Sequence, residues 1–326
     1  MREVRGRAVY PWLSESRPPW TVKSDLPPLA RFLAGDPLPD WASGSHQSRA
    51  DTPPVAPSFA ACLDRAVRAD LYAHASGREP LRWRLRDRVR LAGWLERNGY
   101  RTAEIMASGF PLEELPDRVQ GLERFVVKPT DAHSSLGVMA LVREGGDFSY
   151  VCVETGARHD IADLLDLLAQ PMQAFGFPDR WQIEELLLPP GGAPGALGDF
   201  KFYAFHGQAP LVLQAAGRGE HRRYRWFDQD WTPVRTGKYE DSLDEGLPLP
   251  RDPDALMEVA RRLSAALPVP FCRVDLYETS SGVAVGELTP EPGEYHRFDP
   301  SVDLYLGTCF EQAADRLYYS VRDGFQ

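Results

Sequence analysis

FCRVDLYETSSGVAVGELTPEPG, residues Phe271 to Gly293, decides the fold. Two alternating strands flank Ser280-Ser281-Gly282, and a three-residue hairpin loop puts its last residue in the left-handed region, where glycine meets no steric penalty. If Thr279 pairs with Val283, then Tyr277 faces Val285, Asp275 faces Glu287 and Arg273 faces Thr289. Residues two apart on a strand project from the same side of a sheet, so all of these share one face. The opposite face carries Cys272, Val274, Leu276, Ala284 and Leu288 and reads as core.

Two carboxylates directly opposite each other, with Cβ atoms about 5 Å apart, repel and destabilise a bare sheet. A cation reverses that sign. Asp and Glu oxygens with room for water and phosphate oxygens are the ligand set Mg²⁺ uses, and Arg273 beside them could neutralise an anion. A register slip, or Arg273 bridging the acids on a wet surface, accounts for the same residues. The hairpin alone leaves both readings open.

Upstream, FVVKPTDAHSSLGVMAL (Phe125 to Leu141) delivers Lys128 at the end of an apolar strand, followed by a small-residue loop with Thr130, His133, Ser134, Ser135 and Gly137. A lysine, hydroxyls and backbone N–H groups in this order can hold a triphosphate. It is no Walker motif, and a plain hairpin loop fits the same residues.

The remaining text alternates short strands with a few helices. Strands are expected over Arg124–Lys128, Val138–Arg143, Tyr150–Glu154, Trp181–Leu188, Asp199–Phe205, Leu211–Ala215 and Tyr224–Phe227. Helices are expected from Ser58 to His74, with Asp70 as the one polar blemish, and from Asp87 to Asn98-Gly99. Further helices start at Asp160 and Asp252 and cover Phe310–Tyr319, with Pro171 ending or kinking the first of these. Eight arginines between Arg78 and Arg101 read as a solvated helix face. The first 60 residues hold 10 of the 29 prolines, and Asp36 to Pro57 reads as loop.

The net charge of −10 and pI near 5.3 argue against a nucleic-acid binder. No apolar run reaches the roughly 18 residues of a membrane span, and the charged, proline-bearing N-terminus is no signal peptide, so a cytoplasmic location is expected. Cys62, Cys152, Cys272 and Cys309 lack any C-x-x-C spacing and read as buried thiols. The basic residues are lopsided, with 33 Arg against four Lys: Lys23, Lys128, Lys201 and Lys238.

Taken in order, Lys128 with its loop, WQIEELL, DFKFYAFHGQ and RVDLY…GELTPEPG resemble the ATP-grasp superfamily, and its TupA-like branch in particular. The resemblance runs from about Asp87 to Glu311 and includes WFDQDW and FDPSVDLYLG. It implies an α+β fold in which two α+β subdomains clasp ATP, here with an atypical proline-rich and helical N-terminal region. The expected division is 1–86, then 87–183 as lid, then 184–326 as catalytic subdomain. It implies that Lys128 and Lys201 contact the phosphates, that Ser134, Ser135 and Gly137 belong to a closing loop, and that Glu184, Glu185, Leu186 and Leu187 form the hinge for adenine and ribose. Asp275 and Glu287 would carry Mg²⁺, with Thr289 standing where many relatives have Asn, and Arg273 would steady the transferred phosphoryl group. His133, Arg218, Arg222, Arg223 and His296 are candidates for the anionic substrate.

The implied activity is ATP-dependent carboxylate–amine ligation through an acyl phosphate, making an amide in a specialised metabolite or cell-surface polymer. Its partners would be a small-molecule carboxylate and an amine, of amino-acid or peptide kind. A small-molecule kinase and a catalytically inactive nucleotide-binding module are the alternatives.

Overall fold

A computed structural model describes residues 26–38, 56–85, 87–130, 136–145, 149–217 and 219–323. The chain forms two units: Met1–Tyr100 with Asp199–Tyr277 and Val285–Gln326, and Arg101–Gly198 with Glu278–Ala284. It passes between units near 100, 198, 277 and 284.

The second unit is an antiparallel sheet backed by a long helix and by the short helical segment Leu115–Arg118. Its strands lie in the order Ile105–Phe110, Trp181–Glu184, Arg124–Pro129, Met139–Arg143, Ser149–Cys152, Arg158–Asp160. Alternation sends Phe125, Val127, Leu141, Tyr150, Trp181 and Ile183 to one side, where Leu164 and Leu168 of the helix Ile161–Phe175 close a core. Lys128 and Gln182 are register partners, as are Val126 and Glu184, and they occupy the other side. The helix begins in a capping box made by Asp160 and Asp163. Pro171 does not end it: the helix runs through to Phe175 and stops at Gly176, in the left-handed region. One missing backbone donor is offset by the apolar face that the last turns keep in contact with the sheet. The strand expected to reach Leu188 ends at Glu184, and Ile105–Phe110 was not foreseen, because its pattern is broken by bulges around Met106 and Gly109.

In the first unit the strands Gly282–Thr289, Cys272–Thr279, Gly198–Phe205, Gln208–Ala216 and Arg223–Asp228 lie in this order in one sheet. Gly282 has φ +97°, the positive value expected of the loop's last residue. The helix Phe59–Ala75, capped by the Ser58 side chain, and the helix Pro300–Asp323 pack on each other. They cover the sheet through an aromatic core of Phe59, Tyr203, Phe205, Trp226, Phe271, Phe298 and Tyr305. Pro300–Asp323 is longer than the expected Phe310–Tyr319, because FDPSVDLYLG opens it with Val302, Tyr305 and Leu306 already buried.

Two expectations near the N-terminus change. The helix Arg88–Arg97, capped by Asp87, is present, but the arginines preceding it are not all solvated. Arg82 is buried and pairs with Asp70 at 3.2 Å, so the apparent blemish in the preceding helix is the counter-charge of a buried guanidinium. All four cysteines are buried and free. No helix among the described residues is long and apolar enough to cross a membrane.

Candidate active site

On the strand Gly198–Phe205 the period of two puts Asp199, Lys201 and Tyr203 on one face, and on Cys272–Thr279 it does the same for Arg273 and Asp275. These faces meet. Lys201 Nζ donates to Asp199 Oδ1 and to Asp275 Oδ2, both at 2.8 Å. Arg273 grips Asp275 with two bonds, Nε to Oδ1 at 2.6 Å and Nη2 to Oδ2 at 2.7 Å, the fork geometry that gives guanidinium–carboxylate pairs their strength. Arg273 Nη2 also donates to Thr289 Oγ1 at 3.0 Å, the contact expected if 273 and 289 are strand partners. Arg222 Nη2 lies 3.5 Å from Asp199 Oδ2.

The cluster is nearly dry, with side chains only 12% exposed at Lys201, 16% at Arg273 and 3% at Asp275. Burial alone would neutralise Asp275. The charges of Arg273 and Lys201 and their hydrogen bonds outweigh it and hold the carboxyl below its usual range. Burial likewise pulls Lys201 down, and Asp275 and Asp199 more than restore it. Arg273 is driven up against the same opposition by Asp275, with Tyr203 and the exposed Glu287 adding to the effect. Each cation is therefore kept charged at neutral pH by an acid that a polyanion could replace. Among the described residues no group of three or more His, Cys, Asp or Glu is placed to hold a metal ion. The expected Mg²⁺ ligands on the hairpin are hard oxygens: both of Asp275 are bonded to Arg273 and Lys201, Thr289 Oγ1 accepts from Arg273, and Glu287 is exposed. This hard donor set leaves most of a Mg²⁺ shell to water and phosphate, as that ion prefers, and in that sense it fits.

In the second unit Lys128 Nζ meets Glu184 Oε2 at 2.5 Å, with both side chains largely buried. Gln182 donates to the other oxygen of Glu184. Glu185 pairs with Arg101 at 2.7 Å, and its backbone N–H donates to Glu104 O at 2.8 Å. Leu186 and Leu187 are buried. Gly137 has φ +67° and lies against Pro129 and Trp181. His133, Ser134, Ser135 and Arg218 lie outside the described residues, as does Lys23. Arg223 is exposed at the start of its strand. His296 is 57% exposed, 3.7 Å from Asp64, with its ring tilted against that of Tyr295 at 4.0 Å.

Three site residues escaped the sequence reading. Asp199 stands two before Lys201 and shares its face, a signal that was available. Gln182 could have been found in the same way from Glu184. Lys238 carried no such signal. It is 1% exposed and bonded at 2.6 Å to the carbonyl of Gly293, in the turn after Thr289.

The first unit thus carries a buried Lys201–Asp275–Arg273 cluster with its Arg-x-Asp on a hairpin, and the second carries a Lys128–Glu184 pair on the sheet face turned away from its core. Residues 116–311 match the profile of the TupA-like ATP-grasp family, and the chain belongs to it. Solved structures similar to the chain include D-alanine–D-alanine ligase from Bacillus anthracis (15% identity, TM-score 0.44, 79% of this chain and 77% of that one). Another is the ATP-grasp ligase PsnB in complex with a minimal precursor (12%, 0.40, 75% and 67%). A third is a RimK-domain ATP-grasp protein from Sphaerobacter thermophilus (14%, 0.42, 76% and 76%). None of these reaches a TM-score of 0.5, so the assignment rests on the family match. No curated protein matches the sequence.

Proposed function

We propose that the protein joins a carboxylate to an amine, forming an amide through an acyl phosphate at the expense of ATP, in the making of a specialised metabolite or cell-surface polymer. The observation that carries this reading is the buried Lys201–Asp275–Arg273 cluster. A carboxylate and an amine at neutral pH form a salt, and their condensation is uphill in water, so one acid oxygen has to leave as phosphate. An oxygen of the substrate carboxylate attacks the γ-phosphorus and the bond to ADP breaks. The amine nitrogen then attacks the acyl carbon, loses a proton, and inorganic phosphate departs. Such transfers ask a protein for positioning and charge neutralisation more than for covalent work.

Lys201 and Arg273 supply that neutralisation. Asp275 keeps both charged and aimed until phosphate oxygens take its place. Asp275, Glu287 and Thr289 would hold Mg²⁺, which when bound offsets phosphate charge. Lys128, with Ser134, Ser135 and Gly137 of its loop, would contact the phosphates, and Glu184 to Leu187 would receive the nucleoside. The tight Lys128–Glu184 pair makes Lys128 available only when that bond is exchanged. Arg222, already drawn to Asp199, is the described candidate for the substrate's own anion, with His133, Arg218 and His296 as further candidates. The acid and the amine are of amino-acid or peptide kind on this reading, and no nucleic acid is involved.

Incubation with ATP, Mg²⁺, hydroxylamine and a broad panel of carboxylic acids is expected to trap a hydroxamate with stoichiometric ADP. Absence of any acid-dependent ADP release across the panel would sink the proposal.

A further inference from the structure

The turn Thr289-Pro290-Glu291-Pro292-Gly293 runs directly off the hairpin strand that carries Glu287 and Thr289. Two of its five residues are prolines without an N–H, so it has few donors with which to close on itself, and its carbonyls have to be satisfied from elsewhere. Two buried basic side chains do this, from distant parts of the first unit. Arg82, in the short helix Leu81–Arg84, donates from Nη2 to Pro290 O at 2.8 Å, and Asp70 lies 3.2 Å from its Nη1. Lys238 donates from Nζ to Gly293 O at 2.6 Å, with the Tyr203 hydroxyl at 3.5 Å and the rings of Tyr239 and Phe298 4.9 and 5.2 Å away.

The surroundings are constrained to keep this arrangement. Gly237 has φ +77°, and a Cβ there would lie 2.3 Å from Asp299 Oδ1, so the residue before Lys238 has to be glycine. Asp299 N–H donates to Thr236 O at 2.8 Å and ties the Lys238 loop to the segment after the turn. Tyr239 and Glu294, the neighbours of the two bonded groups, both have positive φ, at +65° and +56°. Such a backbone is strained in a non-glycine residue and persists where the surroundings enforce it. A neutral donor would satisfy a carbonyl at a lower desolvation cost than a buried charge. Placing two long basic side chains here, one a buried guanidinium, favours position over stability.

Resting on the ligase reading above, we infer that Arg82 and Lys238 are positioning residues that pin the two ends of the 289–293 turn. Through backbone carbonyls they set Thr289 and the Arg273 bonded to it, without touching substrate. The inference gives the helical N-terminal region a part in the site: its Arg82–Asp70 pair is one jaw of the clamp.

The test uses the full chain as wild type, Arg82→Met, Arg82→Lys and Lys238→Met. Three measurements are compared: amide hydrogen exchange over residues 287–297 and 208–216, MgATP affinity by calorimetry, and steady-state ADP release with an acid identified by hydroxamate trapping. Arg82→Met and Lys238→Met are expected to raise exchange in 287–297 at least tenfold while 208–216 stays within twofold. They are expected to lower kcat at least tenfold with KM for ATP within threefold, and Arg82→Lys should recover part of the loss. Unchanged exchange in 287–297, or an equal rise in both segments, would overturn the clamp, because the two side chains would then be ordinary parts of the core. If Arg82→Met does not fold, Asp70→Asn replaces it, with the same direction expected at smaller size, and wild-type exchange in 287–297 in both it and Lys238→Met overturns the inference. Should wild type turn over no acid, the ligase reading falls, and the exchange data still decide the clamp.

Discussion

Lys201 and Lys238 are both buried in the first unit, and the fold treats them in opposite ways. Lys201 sits between two carboxylates, and their pull more than repays the water it has lost, so it stays charged. Lys238 has only a carbonyl, a hydroxyl and two aromatic rings in contact, and burial brings it down to about 7, with Glu294 opposing and Arg273 and Arg297 assisting. Burial sets the cost of a charge, and the partner decides whether the charge survives. The first arrangement suits a group that has to present a cation to an anion. The second suits a group that holds a backbone in place.

Removing the partner should break the comparison most sharply. Asp275→Asn leaves Lys201 and Arg273 buried without their shared counter-charge, and breaking a buried ion pair in this way costs about 3–5 kcal/mol. Urea denaturation should show a loss of that size, and acid-dependent ADP release should fall at least about 100-fold. A stable, active variant would mean that the cluster organises nothing.

The Lys238 side of the comparison is sharpened by pH. Its folded pKa lies below its unfolded value of about 10.4, so between pH 10 and 7 the unfolded chain binds the extra proton. Stability therefore rises with pH from 7 toward 10, by up to about 1.4 kcal/mol per unit from this group. Chemical denaturation at pH 7, 8 and 9 should show that slope in the wild type and a shallower one in Lys238→Met. Equal slopes would count against a depressed Lys238.

A smaller effect of the same kind is expected at His206, whose φ is +38° in the turn between Gly198–Phe205 and Gln208–Ala216. Burial, aided by the charge of Arg316, pulls it down to about 4, against backbone contacts with Leu267 and Ser264. The folded state prefers neutral imidazole, so stability is lost as pH falls from about 6.5 toward 4, on the order of 3 kcal/mol in full. His206→Asn, whose side chain tolerates positive φ, should flatten that limb of the profile. An unchanged acid limb would assign it to the carboxylates instead.

Much of this architecture was legible in the sequence because it is local. A hairpin loop of stated length with glycine last, and a period of two on either side, place Arg273 and Asp275 on one face and bring Arg273 to Thr289 before any tertiary contact is known. Caps at Ser58, Asp87, Asp160 and Asp252 announced their helices for the same reason. Pro171 does not end its helix, because Ile161–Phe175 is held by its buried face more than by each backbone bond. The Arg78–Arg101 run misled because composition does not tell which one of eight arginines will find an aspartate in another helix.

What the sequence determined by itself is the set of groups within one hairpin, together with the scarcity of lysine that drew attention to Lys201. What only the tertiary structure decided is which groups they meet. Lys201 reaches Asp275 across 74 residues, Lys238 reaches Gly293 across 55, and Arg82 reaches Pro290 across 208. Such partners share no spacing rule, because they are chosen by how the helices and sheet of the first unit close over a common core. Protonation follows the partner, so the difference between Lys201 and Lys238 came into view only once that core had been packed.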